Sequence, residues 1–403
     1  MQIRVLAVSA IIGFASAGTC SAEDLIQIYD LAVESDPVLR EAEQTLYSTR
    51  EVRPQVRSLL LPNFGLQADA QYQNDKTDGF SLSGSGRRND TYSSSGVTAA
   101  VTQTVYNRGD WISLRQTDDT IAQAEAQYRD SQIGLMVRTT ERYFDVLRAA
   151  ALINAKNLLD NAWEALRRIV GPISVPLARL GAKLPLTPPA PNDIDQWVKT
   201  ALDNNYGIVA AREAVGSAKK QIEIERSGHY PTVELQAGYD VARTGAEFGS
   251  DRDTAFVALN LNLPIYQGGL ITSRTRQAGY DLGASQERLD QQRRLVVNNV
   301  KDAFRGVISS ISDVQARQAA IVSARSALES TQAGLEVGTR TQVDVLNAQR
   351  NLFQAEFEYL SARYAYIING VLLHQATSTL SREVLAKGNA WLNPDDLVPP
   401  PSY

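Results

Sequence analysis

Hydrophobic positions repeat along this chain with two different periods, and the places where the period changes divide it into elements. From Leu25 to Val56 the spacing is helical, and Leu61-Pro62 closes the run. The period then becomes two. Phe64, Leu66, Ala68, Ala70 and Tyr72 share one face, and Asn63, Gly65, Gln67, Asp69 and Gln71 share the other, so a strand is predicted over about 63–73. Asn74 to Ser95 is rich in Gly, Ser and Asp and predicts a long exposed loop. Alternation resumes at Val97, Ala99 and Val101. It gives a return strand over about 96–106 that runs through Tyr106 into Asn107-Arg108-Gly109, with a long helix beginning near Trp111.

The same order then recurs. A helical stretch from Asp193 to Arg226 ends at Tyr230-Pro231, and strands are predicted over about 232–242 and 255–266, separated by a polar loop from Arg243 to Asp253. Ile265-Tyr266-Gln267-Gly268-Gly269 repeats the sense of Val105-Tyr106-Asn107-Arg108-Gly109. The chain therefore reads as a tandem duplication over residues 23–192 and 193–378, followed by a tail over 379–403. Each strand alternates cleanly and carries a tyrosine near one end (Tyr72, Tyr106, Tyr239, Tyr266), which suits a transmembrane barrel with an aromatic girdle. Four strands cannot close a barrel, so several chains must pool theirs. The competing arrangement is a soluble sandwich, and Asp69, Glu234 and Asp240 at mid-strand on the wet faces favour a water-filled lumen.

After the second pair of strands the period returns to that of a helix. Val300, Phe304, Val307, Ile311, Val314, Ile321 and Leu328 step by four and three once Gln318 and Arg325 fill the two gaps, and Leu346, Phe353, Phe357, Leu360, Tyr364, Ile367 and Val371 keep the rhythm on a returning arm. A long helical hairpin over 270–377 is predicted, with its tip at Gly338-Thr339-Arg340-Thr341. At 1.5 Å per residue its first arm is roughly 100 Å long. The first repeat has a shorter counterpart. Phe304 to Ser378 spans 74 positions, whereas Phe144 to the matching Gly171 spans 27, a deficit of 47 that removes the first hairpin's tip. Leu147, Ala151, Leu158, Ala162 and Ile169 hold one heptad phase, so the pattern alone allows a single helix from Trp111 to Val170, while topology asks for a turn near 154–157.

Composition narrows the class. Arg4, the apolar run Val5 to Ala17 and Cys20-Ser21-Ala22 read as a secretory signal over 1–22, with lipidation of Cys20 as the rival reading. With that segment removed neither a disulfide nor a thiolate metal site is available, since Cys20 is the only cysteine. A formal charge of −5 argues against a nucleic-acid partner, and no later stretch is apolar enough for a spanning helix.

With Ala22-Glu23-Asp24-Leu25, Leu263-Pro264-Ile265-Tyr266-Gln267-Gly268-Gly269 and Val337-Gly338-Thr339-Arg340-Thr341-Gln342-Val343-Asp344-Val345-Leu346 in place, the chain resembles the TolC-type outer-membrane efflux and secretion channels from Glu23 to about Ser378. The resemblance implies an α+β membrane protein and a homotrimer. Four strands per chain join one barrel in outer-membrane lipid, continued by a helical barrel in the periplasm. It also implies docking onto a periplasmic adaptor and an inner-membrane transporter, which supplies the energy. In that family the tip is an iris. Asp344 matches an acidic position facing the axis, Asn347 stands where a second acid would be, and Arg340 matches a residue that tethers the closed tip. The tip residues Gly338, Thr339, Arg340 and Thr341 match the docking end, and Tyr106, Gly109, Tyr266, Gly268 and Gly269 mark the strand-to-helix junctions. The missing first tip removes the partners of Arg340 and half of the docking surface.

No nucleophile motif, HExxH or phosphate loop is present, and His229 and His374 read as packing or surface residues, as do Trp163, Trp197 and Trp391. No enzyme, cofactor or metal site is therefore expected. Gly171 to Pro191 predicts an irregular belt, and Asn393 to Tyr403 a loose tail. The alternatives to a working channel are a leaky or assembly-defective relative and a soluble periplasmic coiled-coil adaptor.

Overall fold

The computed structural model describes residues 23–81, 84–152, 156–245 and 251–401; the expected signal with Cys20, and Asn154 of the expected turn, lie outside them. The first helical run is three helices, α1 (Leu25–Ser35), α2 (Pro37–Arg50) and α3 (Val52–Ser58). Asp24 caps α1 through a capping box with Gln27. Pro37, which cannot donate to α1, opens α2, where buried Asp36 accepts from Leu39 N at 3.0 Å and from Arg138 at 2.7 Å.

The strands β1 (Asn63–Ser81) and β2 (Gly84–Tyr106) are far longer than the alternation predicts. The segment read as a loop over 74–95 is paired throughout its described length, from Asn74↔Thr91 to Ser81↔Gly84. Ladder bonds are made by backbone, so Gly- and Ser-rich strands pair without a side-chain signature. In the second repeat β4 (Thr232–Thr244) and β5 (Asp251–Asn262) likewise extend into the expected polar loop. However, β5 stops at Asn262, not at Tyr266, because Pro264 has no N–H for the ladder.

The helix after β2 is not continuous to Val170. It runs as α4 (Arg108–Ala150), and the chain resumes as α5 (Lys156–Val170). The belt contains a short strand, β3 (Leu177–Leu180), before α6 (Ile194–Asn204) and α7 (Tyr206–Ser227). The long hairpin is α8 (Leu270–Glu336) and α9 (Gln342–Ala376). The tail is ordered structure rather than loose: α10 (Arg382–Asn389) leads to β6 (Leu392–Val398), which pairs antiparallel with β3 and buries Val398. That pairing joins segments more than 200 residues apart, which local composition cannot reveal.

These elements form two compact units, with α4 and α8 contributing to both. One comprises residues up to 39, 132–199 and from 299 onward. Its core joins Leu25, Ile28, Tyr143, Phe144, Leu147, Trp163 and Leu166, all nearly inaccessible. Tyr143 donates its hydroxyl to Ala178 O at 2.7 Å and meets Phe144 edge-on, and Phe144 in turn packs on Tyr364. The other unit, residues 40–131 and 200–298, carries an antiparallel sheet in the order β1-β2-β4-β5. The second repeat's hairpin thus lies directly beside the first's.

Candidate functional site

The sheet is sorted into two chemically distinct faces by its register. Leu66 opposes Ala99, Ala99 opposes Tyr239, and Val101, Ala237 and Val257 form the next row. The odd-numbered apolar residues of β2 up to Val101, and those of β4 and β5, therefore join Phe64, Leu66 and Tyr72 on one side, with Phe64 76% and Val257 77% exposed. A face this greasy and this open is unsuited to water but matches hydrocarbon. At its far end the polarity changes: Arg243 donates to Asp253 at 2.7 Å and approaches Asp251 at 3.7 Å, beside Tyr239. The opposite face carries Asp69, Glu234, Gln236 and Asp240. Thr98 donates to Asp240 at 2.6 Å and Gln236 to Glu234 at 2.6 Å. A lumen wall needs such hydrated groups. The alternation already places these acids on one face, and the cross-strand partners emerge only from the register.

The expected junction residues gather at one end of the sheet, where β2 and β5, both antiparallel to β4, finish beside each other. Tyr106 is the last residue of β2 and follows a bulge after Thr104. Gly109 lies in the first turn of α4, where its N–H donates to Asn107 Oδ1 at 3.0 Å and where a Cβ would stand 2.8 Å from Ser227 Oγ. Tyr266 lies beyond β5 and is almost fully exposed. Gly268 and Gly269 have φ of +61° and +84°, a backbone that glycine adopts without strain, and they turn the chain into α8.

The hairpin tip falls where the periodicity places it. Gly338 takes φ +78° after the last turn of α8, and Thr339 and Arg340 donate their N–H groups to Gly334 O at 2.8 and 3.1 Å, closing that helix's C-terminus. Thr341 caps α9: Asp344 N reaches Thr341 Oγ1 at 3.3 Å, while Asp344 Oδ2 accepts from Thr341 N at 2.9 Å and from its hydroxyl at 2.8 Å. The Thr341 N–H and then its hydroxyl, with Arg340 adding a smaller pull, hold the Asp344 carboxyl below its ordinary value. The spacing Thr341-x-x-Asp344 is a capping box that could have been read from sequence. Asp344 Oδ1 has no partner among the described residues. Asn347 and Arg340 are exposed close by.

The seam of the returning arm differs from the predicted one near the tip. Val345 is buried, whereas Leu346 is 55% and Phe353 48% exposed, so the packing stripe there is displaced by one residue. On the other arm Val300, Val307 and Val314 are buried as the heptad requires.

A sequence model of the family described as Outer membrane efflux protein matches residues 28–169 and 197–379 of this chain. The chain belongs to that family. It is similar to Outer membrane protein TolC of Escherichia coli (strain K12), 30% identical, with 96% of this chain and 91% of that protein covered. It also resembles Alkaline protease secretion protein AprF of Pseudomonas aeruginosa, 25% identical over 85% of this chain and 82% of that one. The alignment with TolC runs to 456 positions, more than the 403 residues of this chain, so the relative carries segments that are missing here. The Campylobacter jejuni CmeC outer membrane channel shares the fold, with TM-score 0.71, 14% identity and 97% of each chain covered. As a member of this family the protein is an outer-membrane channel for efflux or secretion that extends into the periplasm, and the family is one of channels rather than enzymes. A soluble adaptor is thereby set aside. Of the two histidines, His374 packs edge-on against Trp197 as an interior residue.

Proposed function

We propose that three copies of this chain pool their sheets into one transmembrane barrel, and that the periplasmic entrance is built by the α8–α9 tips alone. The observation that carries the first part is the two-faced sheet with β1 and β5 each paired on one side only among the described residues. A bilayer tolerates no open strand edge, and four strands are too few to close. Three copies of four strands give twelve. The family resemblance supports the trimer and the partners, a periplasmic adaptor docking on Gly338 to Thr341 and an inner-membrane transporter that supplies energy.

The second part rests on the inequality of the two hairpins. Arg340 belongs to a tip whose counterpart in the first repeat is absent, since the span from Phe144 to Gly171 is 47 positions shorter than that from Phe304 to Ser378. Arg340 therefore has no intramolecular tether of the family type. One carboxylate per chain, Asp344, faces the entrance through its free Oδ1, and Asn347 leaves the second position neutral. A threefold ring of Asp344 favours cations, more weakly than a double ring would.

Cysteine scanning of alternate strand positions tests the barrel. In trimers in lipid vesicles, cysteines replacing Gln67 and Thr254 react with a water-soluble thiol reagent, and those replacing Leu66 and Val257 are protected. Equal reactivity on both faces, or a chain that stays monomeric, contradicts the reading.

A further inference from the structure

The unit containing α1, α5 and α9 holds a half-open cavity of about 360 Å³. Its walls include Trp197, Tyr366, Leu385 and Trp391, with His374 and Lys387 supplying polarity. The walls are held rigidly. Trp197 Nε1 donates to Pro191 O at 2.8 Å, and Tyr366 Oη accepts from Thr187 N at 3.1 Å. Two glycines in helices, Gly370 and Gly388, also line it, and a Cβ built on either would meet nothing within 4 Å. The space is therefore maintained where ordinary helix-forming side chains would fill it.

The polar groups are just as specific. Thr377 Oγ1 lies 3.2 Å from Leu373 O and 3.1 Å from His374 O. Thr379 Oγ1 stands 2.8 Å from Thr377 Oγ1 and 2.9 Å from His374 Nδ1. This hydroxyl pair anchors the imidazole at Nδ1, and Nε2 has no partner among the described residues. Burial, and then the Lys387 charge, keep this imidazole below its ordinary value and hence neutral near pH 7. Lys387 is exposed at the rim and pairs with no acid among the described residues.

We propose that this cavity binds a small amphipathic carboxylate, its hydrocarbon body against the two tryptophans and its head group between Lys387 and His374 Nε2. The volume is in the range that encloses small ligands, and one charge with one unpartnered ring nitrogen at the end of an aromatic slot orients a single polar head. Binding takes up one proton from water on the imidazole, so that two cations face the carboxylate. Lys387 and Tyr366 are the other titratable groups lining the cavity. Tyr366 keeps its hydroxyl among the backbone groups of residues 185–187.

The test uses the full mature chain in lipid nanodiscs, where no detergent competes, with a dibrominated decanoate as contact quencher of tryptophan fluorescence. Saturable quenching is expected, at least about tenfold weaker for the matching brominated alcohol. It should also be about tenfold weaker in Gly370→Phe, which fills the cavity, and in Lys387→Glu. Affinity falls several-fold from pH 6 to pH 8. Quenching that does not saturate, that favours neither head group, or that persists in Gly370→Phe overturns the proposal. So does a trimer in which a neighbouring copy occupies the cavity and decanoate quenches nothing. Should Gly370→Phe fail to fold, the surface variant Lys387→Gln decides between these outcomes.

Discussion

The first hairpin has arms of 43 and 15 residues and the second of 67 and 35, although both grow from the same strand-strand-helix repeat. Near its turn the short hairpin is core: Tyr143, Phe144, Leu147 and Trp163 are almost wholly buried. The long one continues past that level as a two-helix ribbon. Val300, Val307 and Val314 are buried in its seam, while Val337, Val343, Leu346 and Phe353 remain exposed around the tip. A duplicated element has thus kept its packing role in one copy and its reach in the other. In the first hairpin, side chains answer to a core. In the second, those near the tip are left open to the surroundings.

The most severe test of that contrast exchanges one phenylalanine on each side. Phe144→Ala should cost about 3–5 kcal/mol, read as a large fall in denaturation midpoint. Phe353→Ala should leave that midpoint within about 0.5 kcal/mol and instead weaken trimer or adaptor association. Equal losses would mean that the tip is packed as tightly as the core. Next in size is Thr341→Ala, which removes the cap of α9 at about 1 kcal/mol. Hydrogen exchange should speed up at residues 342–345 and stay unchanged in α5. Asn347→Asp should raise cation over anion permeability a few-fold, and Asp344→Asn should lower it by a similar factor, both read from reversal potentials. The smallest effect is on pH. The Asp344 carboxyl is held low in the folded tip, so its contribution is fully present above the unfolded carboxylate value of about 3.9. It is lost as pH falls through the lower folded value. Exchange at the tip should be level from pH 8 to 5, after correction for intrinsic rates, and rise only below about pH 4.

Where neighbouring residues decide the structure, the sequence is legible. The period-two faces of Phe64 to Tyr72 and Val257 to Leu261, the tip at Gly338 and the strand-to-helix glycines Gly268 and Gly269 all appear where alternation and backbone freedom put them. Distant partners are harder to read. The pairing of β6 with β3 turns a proline-rich tail into sheet, and backbone pairing carries β1 and β2 through a Gly- and Ser-rich stretch that looks like loop. The stripe at Leu346 and Phe353 misleads because apolar spacing alone does not tell a seam within the hairpin from an exposed apolar surface. Asp344 matches a gate acid by resemblance alone, whereas its role as the cap partner of Thr341 follows from a spacing of three.

The most direct test of an entrance built by the second hairpin alone is single-channel conductance. The purified mature trimer would be compared with a variant whose first hairpin is extended by a copy of Asp313–Tyr359 inserted after Leu152. Large, long-lived, cation-preferring steps are expected from the natural chain, reduced about tenfold in the extended one as the missing tips narrow the entrance. Small, flickering steps from the natural chain that the extension leaves unchanged would contradict such an entrance.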